Sequence, residues 1–510
     1  MAAPQPSFNP KKLWMNFHET YSQVMDGEWD LFMPQQAAGL TVADMKETTA
    51  QFQKLIGDAK QNGLRVRAVG SSWSLSKAPT TNGWTLNTNR LRGRLKVKPA
   101  DIDPAYPGTA DQKAGLYLFQ CGNTVADVNK ALESDAQKRA LFTSGAANGQ
   151  TIVGATQCGT HGSALGFGAL HDHIVALHLI STANKHYWIE RASRPVMSKA
   201  WVDGLGATLK RDDDDLFNAA VVAFGSFGVV SAVVIETAPR YLLETHPTQV
   251  KLTEDLWKAI GGLDFSVAPF NGNKPYFFQA VINPSGDDVL VMANYRHDGP
   301  DGFQPNYDLI SAPKSIGPGF DSLCALGVIL DAFKGVIPAF SKLAAKQLFD
   351  TTPKTGTPGM IYGYKPPLLH VASGSIAVAL PDARRTLEIL IQLYKDIGPV
   401  PLVFGCRYVR KSPALLAFNR FATGLMISID GVDNQHSRAF FAAAADRVEA
   451  AGIAFTQHWG KSNAYTPQRV AKAYGGNLQK WLDARRKVLP TIADRAVFDN
   501  DYIKERGLAP

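Results

Sequence analysis

Residues 143–170 read TSGAANGQTIVGATQCGTHGSALGFGAL and hold seven glycines in 28 positions, more than any comparable part of the chain. A flexible linker would place glycine and serine among polar residues. This stretch instead includes apolar residues such as Ile152, Val153 and Phe167. We therefore expect an ordered loop whose backbone closely approaches another group.

A second loop, Gly70-Ser71-Ser72-Trp73-Ser74, follows the strand pattern LRVRAVG at 64–70. In that pattern the apolar side chains point inward, and Arg65 and Arg67 are predicted to point outward. This loop and Cys158–Ser163 both offer consecutive backbone N–H groups and hydroxyls, which are the donors that a diphosphate needs. Neither matches GxGxxG or GxxxxGK[ST], so Rossmann and P-loop sites lack their signature. On the residues alone, each loop is either a structural turn or half of a dinucleotide site.

Helix and strand patterns alternate over the first 240 residues, which favours an α/β or α+β domain. Residues 241–455 have longer helical patterns at 383–397 and 438–451 and a strand candidate at 400–410. These patterns predict a second domain of different build. The predicted units are residues 1–240, residues 241–455, and a segment 456–510 that returns to the first unit.

Composition excludes several classes of protein. The chain has 510 residues, 45% of them hydrophobic, and 53 Lys plus Arg against 45 Asp plus Glu give a net charge of +8. Without a long basic run this excess predicts no nucleic-acid partner. The cysteines are too far apart for a disulfide framework or a Cys-rich zinc site, and they are Cys121, Cys158, Cys324 and Cys406.

No targeting or membrane segment is expected. The start, MAAPQPSFNPKKLW, lacks the apolar core of a secretory signal. The uncharged run Leu216–Ile235 reaches spanning length, but its glycines and serines favour a buried strand and turn over a membrane helix. We therefore expect a soluble, cytoplasmic protein.

A set of motifs in fixed order resembles the FAD-binding domain of the vanillyl-alcohol oxidase, or PCMH-type, flavoprotein family. The motifs are RAVGSSWS (67–74), CGNTVADVNKALE (121–133), TIVGATQCGTHGSALGFGALHDHIVALHLIS (151–181) and FNAAVVAFGSFGVVSAVVIETAP (217–239). The tail motifs HWGKSNAYT (458–466) and VFDNDYI (497–503) resemble the aldonolactone and alditol oxidase branch and the sterol oxidases. The resemblance implies an α+β protein, with a two-subdomain FAD-binding domain and a cap domain containing an antiparallel sheet.

The same resemblance assigns residues to the cofactor. The implied FAD contacts are Gly70, Ser71, Ser72, Trp73 and Ser74 at the pyrophosphate, then Gly154, Ala155, Cys158, Gly159, Thr160, His161, Gly162 and Ser163 along the flavin and pyrophosphate, and Val229 and Val230 at the adenine. Many relatives have a flavin-bonded His where this chain has Trp73. Because an indole is not a comparable nucleophile, we expect non-covalent FAD, with a thioether to Cys158 as the alternative.

The implied catalytic residues are Arg407, Lys461 and His458. Relatives carry a Glu-x-Arg pair where this chain reads Gly405-Cys406-Arg407, so the arginine is kept and the carboxylate is lost. Arg407 would stabilise developing negative charge, Lys461 the reduced flavin, and His458 would relay a substrate proton. The resemblance implies an FAD-dependent oxidoreductase that takes hydride from a CH–OH carbon, or a comparable activated C–H, of a small molecule. Oxygen or another acceptor would reoxidise the flavin.

Two alternatives stay open. The missing carboxylate is also compatible with a catalytically idle flavin-binding protein used for binding or assembly. A metal-dependent hydrolase using His171 and His173 is the weaker alternative, since on a strand these side chains would share a face but lack an evident third ligand. We therefore expect no metal.

Overall fold

The computed structural model describes residues 5–33, 39–145, 148–297, 302–305, 335, 337, 352–362 and 370–509; Cys324 lies outside them. A four-stranded, mainly parallel sheet opens the chain, and its strands are β1 (Ser7–Asn9), β4 (Gly27–Asp30), β5 (Val66–Val69) and β6 (Trp84–Asn87). Their order is β1-β4-β6-β5. A hairpin of β2 (Leu13–Met15) and β3 (Ser22–Val24) lies outside this sheet.

A six-stranded sheet follows. Its strands are β7 (Arg94–Lys96), β8 (Leu116–Gln120), β10 (Ile174–Thr182), β11 (Lys185–Glu190), β12 (Thr208–Lys210) and β13 (Val229–Glu236). The order is β12-β11-β10-β13-β8-β7, and only the β11–β12 pair is parallel. β9 (Arg139–Ala140) and β14 (Ala238–Pro239) form a separate short pair. These two sheets give the N-terminal half its two subdomains.

Helices cover these sheets. They are α1 (Val42–Gln61), α2 (Ala110–Ala114), α3 (Val125–Ser134), α4 (Ile152–Gln157), α5 (Lys199–Leu205) and α6 (Asp214–Ala220), with short 3-10 turns at Pro99–Asp101 and Leu170–His173. α1 begins where its capping box predicts, because Thr41 and Asp44 each accept the other's backbone N–H.

The run Leu216–Ile235 is not a strand and turn throughout. Its first residues belong to α6, a turn follows, and β13 completes the run. The periodicity of a short buried apolar run does not separate helix from strand, which explains the error over its first part. Among the described residues no helix is long and apolar enough to cross a membrane.

The next part of the chain forms an eight-stranded sheet, the cap sheet. Its strands are β15 (Leu242–Lys251), β16 (Phe277–Ile282), β17 (Asp288–His297), β18 (Lys354–Gly356), β19 (Val371–Ala379), β20 (Leu402–Arg410), β21 (Thr423–Val432) and β22 (Phe455–Gln457). Its order is β18-β15-β17-β16-β20-β21-β19-β22, and every neighbouring pair is antiparallel. This confirms the predicted α+β fold with an antiparallel cap sheet.

The two faces of the cap sheet differ in chemistry. The helices of this region are α7 (Glu254–Gly262), α8 (Pro358–Ile361), α9 (Ala383–Ile397) and α10 (Gln435–Ala450), with a 3-10 turn at Leu380–Asp382. Apolar side chains such as Phe404 and Ile427 form a core with α7, α9 and α10 on one face. The opposite face carries polar side chains such as Gln279 and Ser428 beside apolar ones such as Met426, which packs with Ala169 of the N-terminal half.

The tail packs against the N-terminal half, through α11 (Pro467–Tyr474), α12 (Gly476–Val488), α13 (Ile492–Val497) and α14 (Asp501–Lys504). The indole of Trp481 donates to the carbonyl of Val222 at 3.1 Å, and Arg485 Nε donates to the carbonyl of Ser226 at 2.9 Å. The apolar residues of the tail belong to the same core as those of the N-terminal half. The domain boundaries at 240 and 455 stay predictions.

Arg67 does not point outward, contrary to the prediction from the alternating pattern. Its side chain is 2% exposed, and Nη1 donates to the carbonyl of Phe224 at 2.6 Å. The turn between α6 and β13 covers this side of β5, so that a Cβ on Gly225 would lie 3.2 Å from Arg67 Nη1. Alternation separates the two sides of a strand, but it does not say whether the second side is also covered.

Candidate active site

The first glycine loop presents unpaired donors. Within the described residues, the backbone N–H groups of residues 71–74 have no acceptor, and Ser71 Oγ is buried without a partner. A Cβ on Gly70 would lie 2.3 Å from Thr151 Oγ1, so only glycine lets the loop lie this close to the start of α4. Consecutive unpaired N–H groups are a cradle for an anionic group.

The N-terminal segment closes one side of this loop. Phe17 N–H donates to the carbonyl of Ser72 at 2.7 Å, and Asn16 Nδ2 donates to the carbonyl of Ser74 at 3.1 Å. The ring of Phe17 stacks on Trp73, with centroids 4.4 Å apart and planes 7° apart. Trp73 is therefore held by an aromatic stack.

The second glycine loop offers the same chemistry. Within the described residues, the N–H groups of His161, Gly162 and Ser163 have no acceptor. The hydroxyl of Ser163 donates to the carbonyl of Phe278 and accepts the N–H of Tyr408 at 2.8 Å. The Ser163 hydroxyl thus joins this loop to β16 and β20 of the cap sheet, and its backbone N–H stays available to a ligand.

The other cofactor candidates lie around these loops. Gly154 is exposed on α4, and Ala155 is buried and accepts the Thr160 N–H through its carbonyl at 2.9 Å. Burial raises the pKa of the Cys158 thiol to about 12, and Gly159 adopts a left-handed φ of 83°.

Val229 and Val230 form the start of β13 and are far from the catalytic candidates in the sequence. They pair with β10, whereas β8 pairs with β13 only from Ala232 onward. The backbone of Val229 and Val230 is therefore paired with β10 on one side, and on its other side it is not paired with β8.

The tail brings both loops and the cap together. The carbonyl of Gly460 accepts the Leu75 N–H at 2.9 Å and the Ser74 hydroxyl at 3.3 Å. A Cβ on Gly460 would lie 3.1 Å from Cys158 Cβ. Two residues further on, Ser462 N–H donates to the carbonyl of Ser373 on β19 at 2.9 Å. Residues 458–462 are thus the point at which four parts of the chain meet.

Two cations lie on the polar face of the cap sheet. Arg407 Nε donates to Gln279 Oε1 at 3.2 Å, and its two Nη groups make no hydrogen bond with the described residues. Lys461 Nζ donates to Ser428 Oγ at 3.0 Å and lies 3.3 Å from Asp430 Oδ1. Burial lowers the pKa of both cations, which Asp430 opposes. Partly desolvated positive charge is suited to stabilising negative charge that develops on a bound molecule.

His161 of the second loop and His458 beside that loop are both neutral. The rings of His161 and His458 are 5.7 Å apart. Burial, with the charge of Lys461 adding to it, lowers the pKa of His458 to about 3, and burial holds the pKa of His161 well below its ordinary value. His458 Nδ1 accepts the Gly460 N–H at 3.0 Å. The neutral ring of His458 therefore carries its proton on Nε2 and acts as a donor there.

His171 and His173 lie in a 3-10 turn and not on a strand, which corrects the geometry assumed for a metal pair. His171 Nε2 contacts Ser412 Oγ at 3.1 Å, whereas the His173 ring stacks on Phe142 at 4.7 Å. In the described part of the chain, no group of three His, Cys, Asp or Glu residues is placed to hold a metal ion.

Sequence reasoning missed Gln279, Ser428 and Asp430. One local signal was present: in LMISID (425–430), the apolar Leu425, Ile427 and Ile429 alternate with Met426, Ser428 and Asp430. Such alternation predicts a strand with one polar face. That this face lies beside Arg407 follows from the register of β20 and β21, which no local pattern contains.

The FAD binding domain family matches residues 45–188. Over 484 residues the chain is 23% identical to the L-gulono-1,4-lactone dehydrogenase of Mycobacterium tuberculosis (strain ATCC 25618 / H37Rv), covering 94% of this chain and 99% of that protein. It is 24% identical to the D-arabinono-1,4-lactone oxidase of Debaryomyces hansenii, covering 40% of this chain and 33% of that protein.

Solved structures share the fold. The cholesterol oxidase from B. sterolicum superposes with a TM-score of 0.70 at 13% identity, covering 100% of both chains. A VAO-type flavoprotein from Myceliophthora thermophila C1 superposes with a TM-score of 0.56 at 13% identity, covering 91% of this chain and 78% of that one. These comparisons confirm the resemblance and the fold, and they support FAD as the cofactor. The glycine-loop donors, which have no acceptor among the described residues, fit its anionic diphosphate.

Proposed function

We propose that this chain, an FAD-dependent oxidoreductase of the PCMH-type superfamily, oxidises a CH–OH group of a small polar molecule. The observation that carries the proposal is the pair of cations, Arg407 and Lys461, on the polar cap face that the tail joins to both glycine loops. FAD, when bound, would supply the two-electron acceptor for hydride at N5, and oxygen or another acceptor would reoxidise it.

The two loops hold the cofactor. The unpaired N–H groups of residues 71–74 and 161–163 bind the diphosphate and the adjoining groups. Val229 and Val230 offer a backbone edge to the adenine. The attachment is non-covalent, because Trp73 is not a nucleophile and the pKa of about 12 at Cys158 leaves little thiolate.

Arg407 and Lys461 act electrostatically. The Nη groups of Arg407, which make no hydrogen bond with the described residues, bind the substrate oxygen and stabilise charge on it as the C–H bond breaks. Lys461 provides a second positive charge, which stabilises the reduced flavin. His458 donates from Nε2 and orients an oxygen of the substrate.

The polarity of the cap face favours a hydroxylated substrate. Gln279, Ser373, Ser375 and Ser428 have side chains on the same face as Arg407. Hydroxyl and amide groups match the oxygens of a sugar lactone or a polyol better than the hydrocarbon of a sterol. The lactone substrates in the names of the sequence relatives agree with this choice.

Anaerobic reduction of the bound flavin tests the proposal. We expect L-gulono-1,4-lactone, D-arabinono-1,4-lactone or an alditol to bleach the flavin absorbance, and Arg407→Ala to lower that rate by at least about 100-fold. Arg410→Ala removes an exposed arginine from the same strand and is the matched control. If no hydroxyl donor bleaches the flavin, the chain is an idle flavin-binding protein; if Arg407→Ala is reduced at the parental rate, the role of Arg407 is wrong.

Acid precipitation tests the attachment. We expect all flavin to stay in the supernatant and the protein pellet to be colourless. Flavin that remains with the pellet of the parent, and is lost from Cys158→Ser, would instead establish the thioether.

A further inference from the structure

The polar face of the cap sheet carries a carboxylate beside the position at which this chain lacks one. The register pairs Val403, Gly405 and Arg407 of β20 with Asp430, Ser428 and Met426 of β21. Directly paired residues have side chains on the same face. Across the four central strands β16, β20, β21 and β19, all of which the structure describes, Asp430 is the one carboxylate on this face.

Gly405 lies next to this carboxylate. A Cβ on Gly405 would lie 3.8 Å from Asp430 Oδ2, 3.9 Å from Gln279 Nε2 and 3.5 Å from Ser428 Cβ. The carboxylate of Asp430 therefore reaches the space into which a side chain at position 405 would extend. A neighbouring strand supplies the group that the Gly405-Cys406-Arg407 sequence lacks.

The two oxygens of Asp430 have different surroundings. Oδ1 accepts the hydroxyl of Ser373 and lies 3.3 Å from Lys461 Nζ. Oδ2 accepts no hydrogen bond from the described residues and faces Gly405. The side chain is 38% exposed, so a small molecule can reach it. Oδ1 is thus an anchor, and Oδ2 is open to a ligand.

We propose that Asp430 is a catalytic residue whose Oδ2 binds the hydroxyl of the substrate and accepts its proton; this rests on the proposed function. The hydroxyl lies between Asp430 and the free Nη groups of Arg407. As the C–H bond breaks and its electron pair leaves as hydride for oxidised FAD, the O–H bond breaks and its proton passes to Asp430. The carbon–oxygen bond becomes a carbonyl, and the flavin gains two electrons.

The neighbouring groups support this assignment. His458 carries its proton on Nε2, so that nitrogen donates and does not accept. Lys461 and Arg407 are cations that face Asp430 from the tail and from β20. A carboxylate held by one oxygen and free at the other has the geometry that a general base requires.

Moving the carboxylate between strands tests the proposal. Asp430→Asn keeps the size of the side chain and removes the base. We expect it to lower the limiting rate of anaerobic flavin reduction by L-gulono-1,4-lactone by about 100-fold. The FAD content should be unchanged, and the dissociation constant of the lactone, measured from the absorbance change on binding, should rise less than about tenfold. Adding Gly405→Glu to this variant should restore at least about tenfold of the lost rate, because the Gly405 surroundings admit a Cβ at ordinary contact distances.

Asp288→Asn is the matched control. Asp288 has its side chain on the same face of the cap sheet and pairs with Lys251 at 2.8 Å, but it begins β17, which β16 separates from β20. If the lactone reduces the flavin of the parent, and the rate for Asp430→Asn is within threefold of the parental rate, the role of Asp430 is wrong. The proposed function is not affected by that result. If Asp430→Asn is slow and adding Gly405→Glu does not restore the rate of flavin reduction, the catalytic role of Asp430 is also wrong. Asp430 then acts only by holding Lys461. A parent that no hydroxyl donor reduces overturns the proposed function and this inference together.

Discussion

The backbone carbonyl of Gly460 accepts the N–H of Leu75 at 2.9 Å, which fastens the tail to the first glycine loop. The Ser74 hydroxyl reaches the same carbonyl at 3.3 Å. On its other side Gly460 leaves little room, since a Cβ at this position would lie 3.1 Å from Cys158 Cβ of the second loop. The spacing of the two loops therefore depends on a residue that belongs to neither of them.

Gly460→Val should weaken FAD binding. Even a Cβ at this position would lie 3.1 Å from Cys158 Cβ and 3.3 Å from His458 Cε1, so a branched side chain must lift the tail from the loops. We expect the dissociation constant for FAD to rise at least tenfold, or about 1.4 kcal/mol. Titration of the apoprotein, followed by flavin fluorescence, measures it. Gly476→Ala, where a Cβ meets nothing within 4 Å, is the control; equal affinities for Gly460→Val and the parent would show that the tail does not set the loop spacing.

His173→Phe should make the protein less sensitive to acid. Burial lowers the pKa of His173 to about 4, from an ordinary value of 6.5. The unfolded chain therefore binds a proton that the folded chain does not, and the stability present above pH 6.5 is lost as the pH falls toward 4. Between pH 7.5 and 5 this amounts to about 2 kcal/mol in the parent.

His173→Phe should not lose this part of its stability at pH 5. Phenylalanine keeps the stacking on Phe142 and has no proton to bind. Urea unfolding at the two pH values gives the difference. His246→Gln changes an exposed histidine and should follow the parent. If His173→Phe and the parent lost the same free energy of unfolding between pH 7.5 and 5, His173 would not be the source of the acid sensitivity.

Arg485→Met should destabilise the fold strongly. Arg485 is 1% exposed, and its Nη2 donates to Asp499 Oδ1 at 2.6 Å. Without the cation a nearly buried carboxylate is left unpaired, which costs about 3–5 kcal/mol. Lys480→Met breaks an exposed pair with Asp215 and should cost less than about 1 kcal/mol.

The free energy of unfolding in urea separates the two variants. Adding Asp499→Leu to Arg485→Met should recover part of the loss, because it removes the unpaired charge. If the two single variants were equally stable, the tail pair would not contribute to the fold in this way.

Local signals identified the elements whose causes are local. The strand at 64–70 was predicted because its alternating apolar residues lie within one segment, and β5 runs from Val66 to Val69. The glycine loops were recognised for the same reason, since their donors are consecutive in the sequence.

Features created by packing or register could not be found in this way. The side chain of Arg67 was predicted to be exposed but is buried. The turn that covers it includes Phe224, which is 157 residues away in the sequence. Asp430 and Gly405 become neighbours only through the pairing of β20 with β21. Asn16 and Phe17 carry no motif, and their contacts with residues 72–74 depend on the path of the N-terminal segment.

The contact between Ser74 and Gly460 spans 386 residues. During translation the first loop leaves the ribosome long before the segment that closes over it has been made. At about 5–20 residues per second, the interval between the two is roughly 20–80 s. The nascent chain therefore lacks a finished flavin pocket throughout this time, and stable uptake of the coenzyme must follow synthesis of the tail.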